Sequence, residues 1–423
     1  MSTKQDGEAG TRGIERVLYI LQSTGIGGME TFCADQAQEL VRRGCQVRVI
    51  LPEAEKHDVL AARFAAGGTA VTRLDVYPVL ERRSRFPRLR YLSGLVTRLI
   101  PLLRSWRPDV VHFHRGTVVG GLPAITISRL FSNAVVVFSE HDVPFPGLKP
   151  QHRLSTWFMD RMGHGLIAVS RYNAKLRMAG LGAVRQRFAS ILNGIPIREA
   201  TAEERAAHRA AVREQYGIGP DSVVIGCLVR LVEGKGLETL LQAFGRLRPG
   251  RDVTLLLVGD GPLRSDLERQ ATELGVADAL KLAGFQKDPL PFLDAMDIFA
   301  LAVPAGTMSI ALLEAMARGL PSVITFCGPE EAVIHEETGL CAPPNDADGL
   351  ADALERLVDN AAYRTALGQA AAGHVRTHFS ITRCMNDHLE VYQAVRSGPV
   401  PARLRADGPP DPRPGGSGGR CRC

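Results

Sequence analysis

The sequence predicts an α/β protein made of two doubly wound, parallel-sheet halves, and three observations carry that expectation. Short apolar runs rich in β-branched residues recur along the 423 residues. They lack apolar–polar alternation, as strands covered on both faces should. Amphipathic helical patterns separate them, which is how parallel strands joined by crossover helices read. A turn signal, Asn193-Gly194-Ile195-Pro196, divides the runs into two series of similar length.

The first series predicts strands at Val17–Ser23, Val47–Leu51, Ala70–Leu74, Val110–His114, Ala134–His141, Leu166–Ser170 and Ser190–Ile195. The second predicts Val223–Arg230, Val253–Gly259, Leu280–Phe285, Ile298–Pro304, Ser322–Thr325 and Gly339–Pro343. Helical patterns fall at Glu30–Arg43, Leu89–Trp106, Thr201–Tyr216, Leu237–Leu247 and Ile310–Arg318. The expected organisation is a flexible start at 1–13, a first α/β domain at 14–196 and a second at 197–379. A helix at 380–397 would pack back on the first domain, and 398–423, rich in Pro, Gly and Arg, would be a disordered tail. Two such halves would set a ligand cleft between the carboxyl ends of their strands.

With 45% apolar and 23% charged residues and a mean hydropathy near zero, the chain has the composition of a globular protein. No apolar run reaches the ~18–20 residues that span a bilayer, and no signal-peptide pattern opens it; a cytoplasmic protein is expected. The eight cysteines lack paired C-x-x-C spacing, so neither a disulfide framework nor a zinc site is expected. Half of the formal charge of +6 lies in residues 401–423, and Arg82, Arg83, Arg85, Arg88 and Arg90 form a second basic cluster. Without interleaved aromatics or a nucleic-acid module, this basicity does not indicate nucleic acid. The stripe Leu89–Trp106 reads as packing against its own sheet or, with the arginine cluster, as peripheral docking on an anionic membrane.

Several motifs carry chemistry. Gly25-Ile26-Gly27-Gly28 follows the first strand and opens a helix, so backbone and helix N–H groups can meet a ligand. Glu30 stands where a dinucleotide fingerprint wants glycine, so a nicotinamide enzyme is disfavoured despite Glu53 at the second strand's end. Arg230 and Lys235, on a loop after the first strand of the second half, suit a diphosphate; a pair with Glu233 is the plain alternative. Met308, Ser309 and Ile310 enter a helix whose N–H groups favour an anion, and Glu314 is a carboxylate inside an apolar run. His112 and His114 share one face of a strand, His114 nearer its carboxyl end, where it is a candidate contact at the cleft mouth; His141 follows another strand. Asp346-Ala-Asp348 matches a metal-holding spacing but reads as a helix cap.

In order and spacing, these residues resemble glycosyltransferases of family 4, which pair two facing Rossmann-like domains in the GT-B architecture. The matching elements are Gly27-Gly28-Met-Glu30, Asp109-Val-Val-His-Phe-His114, Ile167-Ala-Val-Ser170 and Asn193-Gly194 in the first half. In the second they are Arg230-Leu-Val-Glu-Gly-Lys235-Gly, Val258-Gly-Asp-Gly-Pro262, Leu312-Leu-Glu-Ala-Met-Ala and Thr338-Gly-Leu. The resemblance implies a retaining, metal-independent transfer from a UDP-, GDP- or ADP-linked sugar to a glycan or lipid-linked acceptor, with no cofactor. Arg230 and Lys235 would neutralise the diphosphate, and Glu314 would bind the ribose. Gly25, Gly27, Gly28, Phe285, Met308, Ser309 and Ile310 would line the donor. His114 would contact the transferred sugar, and Glu30 and His141 the sugar or acceptor. One departure is Gly306, where the family carries a Glu that touches the sugar; losing that charged hydrogen bond costs ~1.5–3 kcal/mol. It motivates an alternative reading as an inactive scaffold or regulatory protein.

Overall fold

The computed structural model describes residues 13–22, 27–77, 87–116, 121–141, 150–181, 185–304, 308–325 and 331–406. Gly25, Gly306, Arg82, Arg83, Arg85 and residues 407–423 lie outside the described residues. The chain divides into two compact units. One runs to Pro196 and is taken up again from Ile381; the other holds Ile197–Ser380.

The first unit is built on a seven-stranded parallel sheet of order β3-β2-β1-β4-β5-β6-β7. Its strands are β1 (Arg16–Gln22), β2 (Gln46–Leu51), β3 (Ala70–Arg73), β4 (Val110–Arg115), β5 (Val135–Glu140), β6 (Gly165–Ala168) and β7 (Phe188–Ser190). The central strands β4 and β5 are buried at every position, which explains their unbroken apolar character: both faces are covered by crossover helices. Those helices are α1 (Gly28–Arg42), α2 (Asp58–Ala66), α3 (Pro87–Gly94), α4 (Ile100–Trp106), α5 (Leu122–Phe131), α6 (Pro150–Met162) and α7 (Arg171–Gly180).

The second unit carries a six-stranded parallel sheet of order β10-β9-β8-β11-β12-β13. Its strands are β8 (Val223–Leu228), β9 (Val253–Val258), β10 (Leu280–Gly284), β11 (Ile298–Leu301), β12 (Ser322–Thr325) and β13 (Gly339–Ala342). Around it lie α8 (Ala202–Gln215), α9 (Leu237–Leu247), α10 (Arg264–Glu273), α11 (Leu290–Ala295), α12 (Ile310–Ala317), α13 (Ala347–Val358) and α14 (Ala361–His378). Capping residues set several starts. Thr201 forms a reciprocal capping box with Glu204, and the Asp346 side chain accepts from Gly349 N–H at 3.0 Å. Asp346 is therefore a cap, as its position before α13 suggested.

The last helix, α15 (Ile381–Ser397), belongs to the first unit. Its start donates from Ile381 N–H to Ile195 O at 2.8 Å. Its inner face packs on α1, where Arg43 reaches Asn386 Oδ1 and Thr382 O.

Three expectations need correction. The seventh strand is Phe188–Ser190, with the ladder continuing only as far as Ile191 N–H to Ala168 O; Ile191 and Ile195 are buried but lie outside the strand. The Leu89–Trp106 stripe is not one α-helix: α3 and α4 are joined by a π-helical segment, Leu95–Leu99. That segment rotates the apolar face, so Leu95, Leu99 and Leu103 enter the core while Leu92 and Val96 stay exposed. The segment expected to begin a disordered tail stays ordered through residue 406. Val400 N–H donates to Gln186 O, Val400 and Leu404 are buried, and Ala189 bridges to Arg405. Two apolar side chains suffice to tie down this stretch despite its prolines.

No helix of the described residues is long and apolar enough to cross a membrane.

Candidate functional site

Strand order reverses at one place in each sheet, and the strands that carry most of the candidate residues flank these places, whereas Phe285 follows the edge strand β10. In the first unit the reversal lies between β1 and β4, and in the second between β8 and β11. Chain leaving adjacent strands at such a point runs off in opposite directions and opens a crevice at the carboxyl edge.

At the first reversal, Gly27 takes extended backbone as the N-cap of α1. A Cβ on it would come within 3.3 Å of Glu30 Oε2. Glu30 is buried in the first turn, where the helix N-terminus favours a carboxylate. Beside β1, His112 and His114 point from β4 to one side, stacked with ring centroids 4.0 Å apart. His112 Nδ1 lies 2.7 Å from Tyr392 Oη on α15, and its Nε2 lies 2.8 Å from Ser139 Oγ. His114 Nδ1 lies 3.1 Å from His141 Nε2, and its ring meets Tyr19 edge-on at 4.6 Å. Gln36 of α1 and His388 of α15 close the cluster at 3.2 Å.

These histidines are buried, not placed at an open cleft mouth as expected for His114. Burial first, then the neighbouring imidazoles, holds His112 and His114 well below the ordinary histidine range; burial and His388 bring His141 down to about 3. Burial lowers His388 to about 4. Each is therefore a neutral imidazole at physiological pH, able to give and accept hydrogen bonds but not to carry charge.

Cys33, His114 and His141 bring one donor atom each to within 4.8 Å of one another, the one such metal-ligand grouping among the described residues. Burial, then the carboxylates of Glu30 and Asp35, push the Cys33 thiol well up. It is a protonated, weak ligand in this setting.

Just beyond the histidines lies a network that sequence reasoning missed. Arg115, next after His114, donates to Glu140 Oε1 at 2.6 Å, and Arg177 donates to Glu140 Oε2 at 3.0 Å and to Asp160 Oδ2 at 2.6 Å. All four side chains are nearly or fully buried. Two guanidinium groups balanced by two carboxylates are tolerable there because every charge is paired. The available signal was Glu140 ending an apolar strand directly before His141.

At the second reversal the chain stays open. Arg230, after β8, is exposed, and Lys235 is half-buried on the same loop. Among the described residues Arg230 makes no ion pair with Glu233. Backbone contact holds the loop rigid. Gly236 has φ +67°, and a Cβ there would stand 1.8 Å from Ala302 O; Gly259 has φ +141°, with Val229 O only 2.0 Å from its virtual Cβ. Gly261 presses on Leu231 O in the same way. Glycine alone permits such approach. Leu231 N–H donates to Asp260 O at 2.9 Å, tying the two loops together.

After β11, Ser309 caps α12, its Oγ accepting from Leu312 N–H at 3.3 Å. The N–H groups of Ile310 and Ala311 precede the intrahelical ladder and face outward as donors. Met308 and Ile310 are buried, whereas Ser309 and Glu314 are partly exposed. Phe285, past the end of β10, is strongly exposed at 61%, an unusual place for an unpartnered aromatic ring. The second unit thus brings an exposed and a half-buried cation, a helix N-terminus and a half-exposed carboxylate to one sheet edge.

Two family models match in succession: Glycosyltransferase Family 4 over residues 26–199 and Glycosyl transferases group 1 over residues 222–360. A lipopolysaccharide core biosynthesis glycosyltransferase, LpsE of Rhizobium meliloti, is 40% identical over 166 residues, 39% of this chain and 47% of that protein. The matching stretch thus spans about half the length of that relative. The 2-deoxystreptamine glucosyltransferase of Streptomyces kanamyceticus is 26% identical over 77% of this chain and 89% of its own. Among solved structures, Anabaena HepE in complex with UDP superposes with a TM-score of 0.74 at 20% identity, covering 89% of this chain and 99% of that one.

Proposed function

The chain belongs to the family 4, group 1 glycosyl transferases, and from that premise we propose that it moves a sugar from a nucleotide-sugar donor to a glycan or lipid-linked acceptor. We further propose that it works in the cytoplasm, retains the anomeric configuration and needs neither metal nor cofactor. The observation that carries the reading is the pair Arg230 and Lys235 beside the Ser309 helix start at the strand-order reversal of the second unit. An exposed guanidinium at Arg230, a half-buried ammonium at Lys235 and the N-terminus of α12 suit the diphosphate of UDP, GDP or ADP.

In this reading the bond from the anomeric carbon to the β-phosphate oxygen breaks as the acceptor oxygen attacks the same face. The acceptor's proton passes to the departing phosphate oxygen. Arg230 and Lys235 stabilise charge accumulating on that leaving group, with the α12 N–H groups; Glu314 holds the ribose. His114 contributes as a neutral hydrogen-bonding group to the sugar, since burial denies it the proton a general acid would need.

Calorimetric titration with UDP, GDP and ADP and their sugars tests this; saturable binding of one nucleotide is expected. No binding of any would overturn the reading. Gly306, in the place of the family's sugar-contacting acid, favours a second reading, a donor-binding protein that turns over slowly or not at all. A radiolabelled-donor assay for transfer and hydrolysis separates the two.

A further inference from the structure

Cys33, His114 and His141 come from three separate elements: the second turn of α1, the end of β4 and the residue after β5. Only the fold assembles them, so no C-x-x-C or similar local spacing betrays the set. A thiol and two imidazoles are donors that zinc and softer ions take in preference to oxygen.

The spacing suits one small ion. His114 Nδ1 and His141 Nε2 lie 3.1 Å apart. Two nitrogens bound to one tetrahedral zinc at ~2.05 Å stand ~3.3 Å from each other. The three donor atoms all lie within 4.8 Å of one another. The tetrahedral sulfur–nitrogen spacing is ~3.6 Å, so closure asks for about an ångström of side-chain movement. His112 has both ring nitrogens engaged, by Tyr392 and Ser139. His114 Nε2, by contrast, is buried and has no hydrogen-bond partner among the described residues. Of the two stacked histidines, His114 is therefore the one with bonding capacity left, and a buried polar atom left unmade is costly.

Charge balance is also at hand. Cys33 would bind as a thiolate, its proton released to solvent. Glu30 is buried one turn earlier on α1, close enough to act electrostatically on that thiol. Asp35 is already taken by Arg63 at 2.8 Å, and Arg115, next after His114, by Glu140 at 2.6 Å.

We propose that Cys33, His114 and His141 form a regulatory zinc site in the first unit, with three protein ligands and a fourth position left to water. A protonated thiol is a weak ligand, so zinc has to displace the proton, and the ion binds reversibly instead of serving as a permanent structural metal. Once bound, it claims the imidazole that the transferase reading assigns to the sugar, and zinc then inhibits transfer. That consequence rests on the transferase reading, whereas metal binding itself does not.

The test uses the full chain carrying Cys421→Ser and Cys423→Ser, so that the paired thiols near the C-terminus do not compete. It is run in a phosphine reductant, without donor or acceptor. Co²⁺, whose tetrahedral complexes absorb in the visible, is titrated in first, and Zn²⁺ follows. One equivalent of Co²⁺ is expected to raise visible bands together with a near-ultraviolet thiolate-to-metal band, and one equivalent of Zn²⁺ to erase both. Cys33→Ser should remove the thiolate band and weaken cobalt binding roughly tenfold or more, the least that losing even an outer-shell partner costs. His141→Gln should weaken binding likewise, with tryptophan emission still reporting a folded first unit. Zn²⁺ should raise the melting temperature of the parent and leave that of Cys33→Ser unchanged. No visible band at stoichiometric Co²⁺, or the same band and affinity in Cys33→Ser, would overturn the site. Transfer that proceeds undiminished in saturating Zn²⁺ would overturn the inhibition. Absence of transfer in metal-free protein would instead count against the transferase reading and leave the cobalt result standing.

Discussion

The two units share a topology and solve opposite problems at the same place in it. The first surrounds its strand-order reversal with buried polar groups: neutral histidines, tyrosines and a four-member ion network. The second leaves Arg230 exposed and packs the loop that bears it by backbone contact at Gly236, Gly259 and Gly261. Burial orients side chains tightly, at the cost of pairing every charge and neutralising every imidazole. An exposed cation keeps its charge at little desolvation cost and is ready for an anion. The comparison teaches that similar parallel sheets can surround the same topological point with buried, fully paired polar groups or with exposed charge, without a change of fold.

The contrast can be broken at several points. Glu140→Gln should be the most damaging change, because it leaves Arg115 and Arg177 under-compensated inside the first unit. A loss of about 3–5 kcal/mol is expected in chemical denaturation. Both tryptophans of the chain, Trp106 and Trp157, lie in that unit, so their fluorescence reports it selectively. Gly236→Ala should cost the second unit about 3 kcal/mol, through the clash with Ala302 O and the positive φ. It should appear in hydrogen exchange of β8 and β11 and leave tryptophan emission unchanged. Arg230→Ala should do the reverse: stability within about 0.5 kcal/mol of the parent and nucleotide affinity weakened by roughly 1.5–3 kcal/mol in calorimetry.

Acid should separate the units as well. In the folded first unit the imidazoles resist protonation, while the unfolded chain takes up protons below about 6.5. Stability should therefore fall as pH drops from there towards the folded values, about 4 for His388 and about 3 for His141. Each histidine adds a slope of about 1.4 kcal/mol per pH unit within its window. A flat tryptophan-detected urea midpoint between these limits would contradict the burial assigned to the cluster. The smallest effect is expected from Asp346→Ala, about 1 kcal/mol from a lost cap, with nucleotide binding unaltered.

The strands were legible because burial on both faces demands unbroken apolar runs such as Val135–Phe138. The cations were legible because Arg230 and Lys235 sit on a short loop where local spacing is informative. The histidine network was not, since its partners are remote: Gln36 and His388 are 352 residues apart, and His112 and Tyr392 are 280 apart. No local pattern couples such positions.

Helix α15 completes a structure begun by β1. Tyr392 and His388 leave the ribosome long after the first sheet, yet they supply walls and hydrogen bonds to a cluster whose other members were made hundreds of residues earlier. During synthesis the second unit is finished while the first still lacks its final wall. The N-terminal half must then wait, incompletely matured, until its closing segment arrives, and a nascent chain arrested before Ile381 would carry a finished second unit and a histidine cluster still lacking His388 and Tyr392.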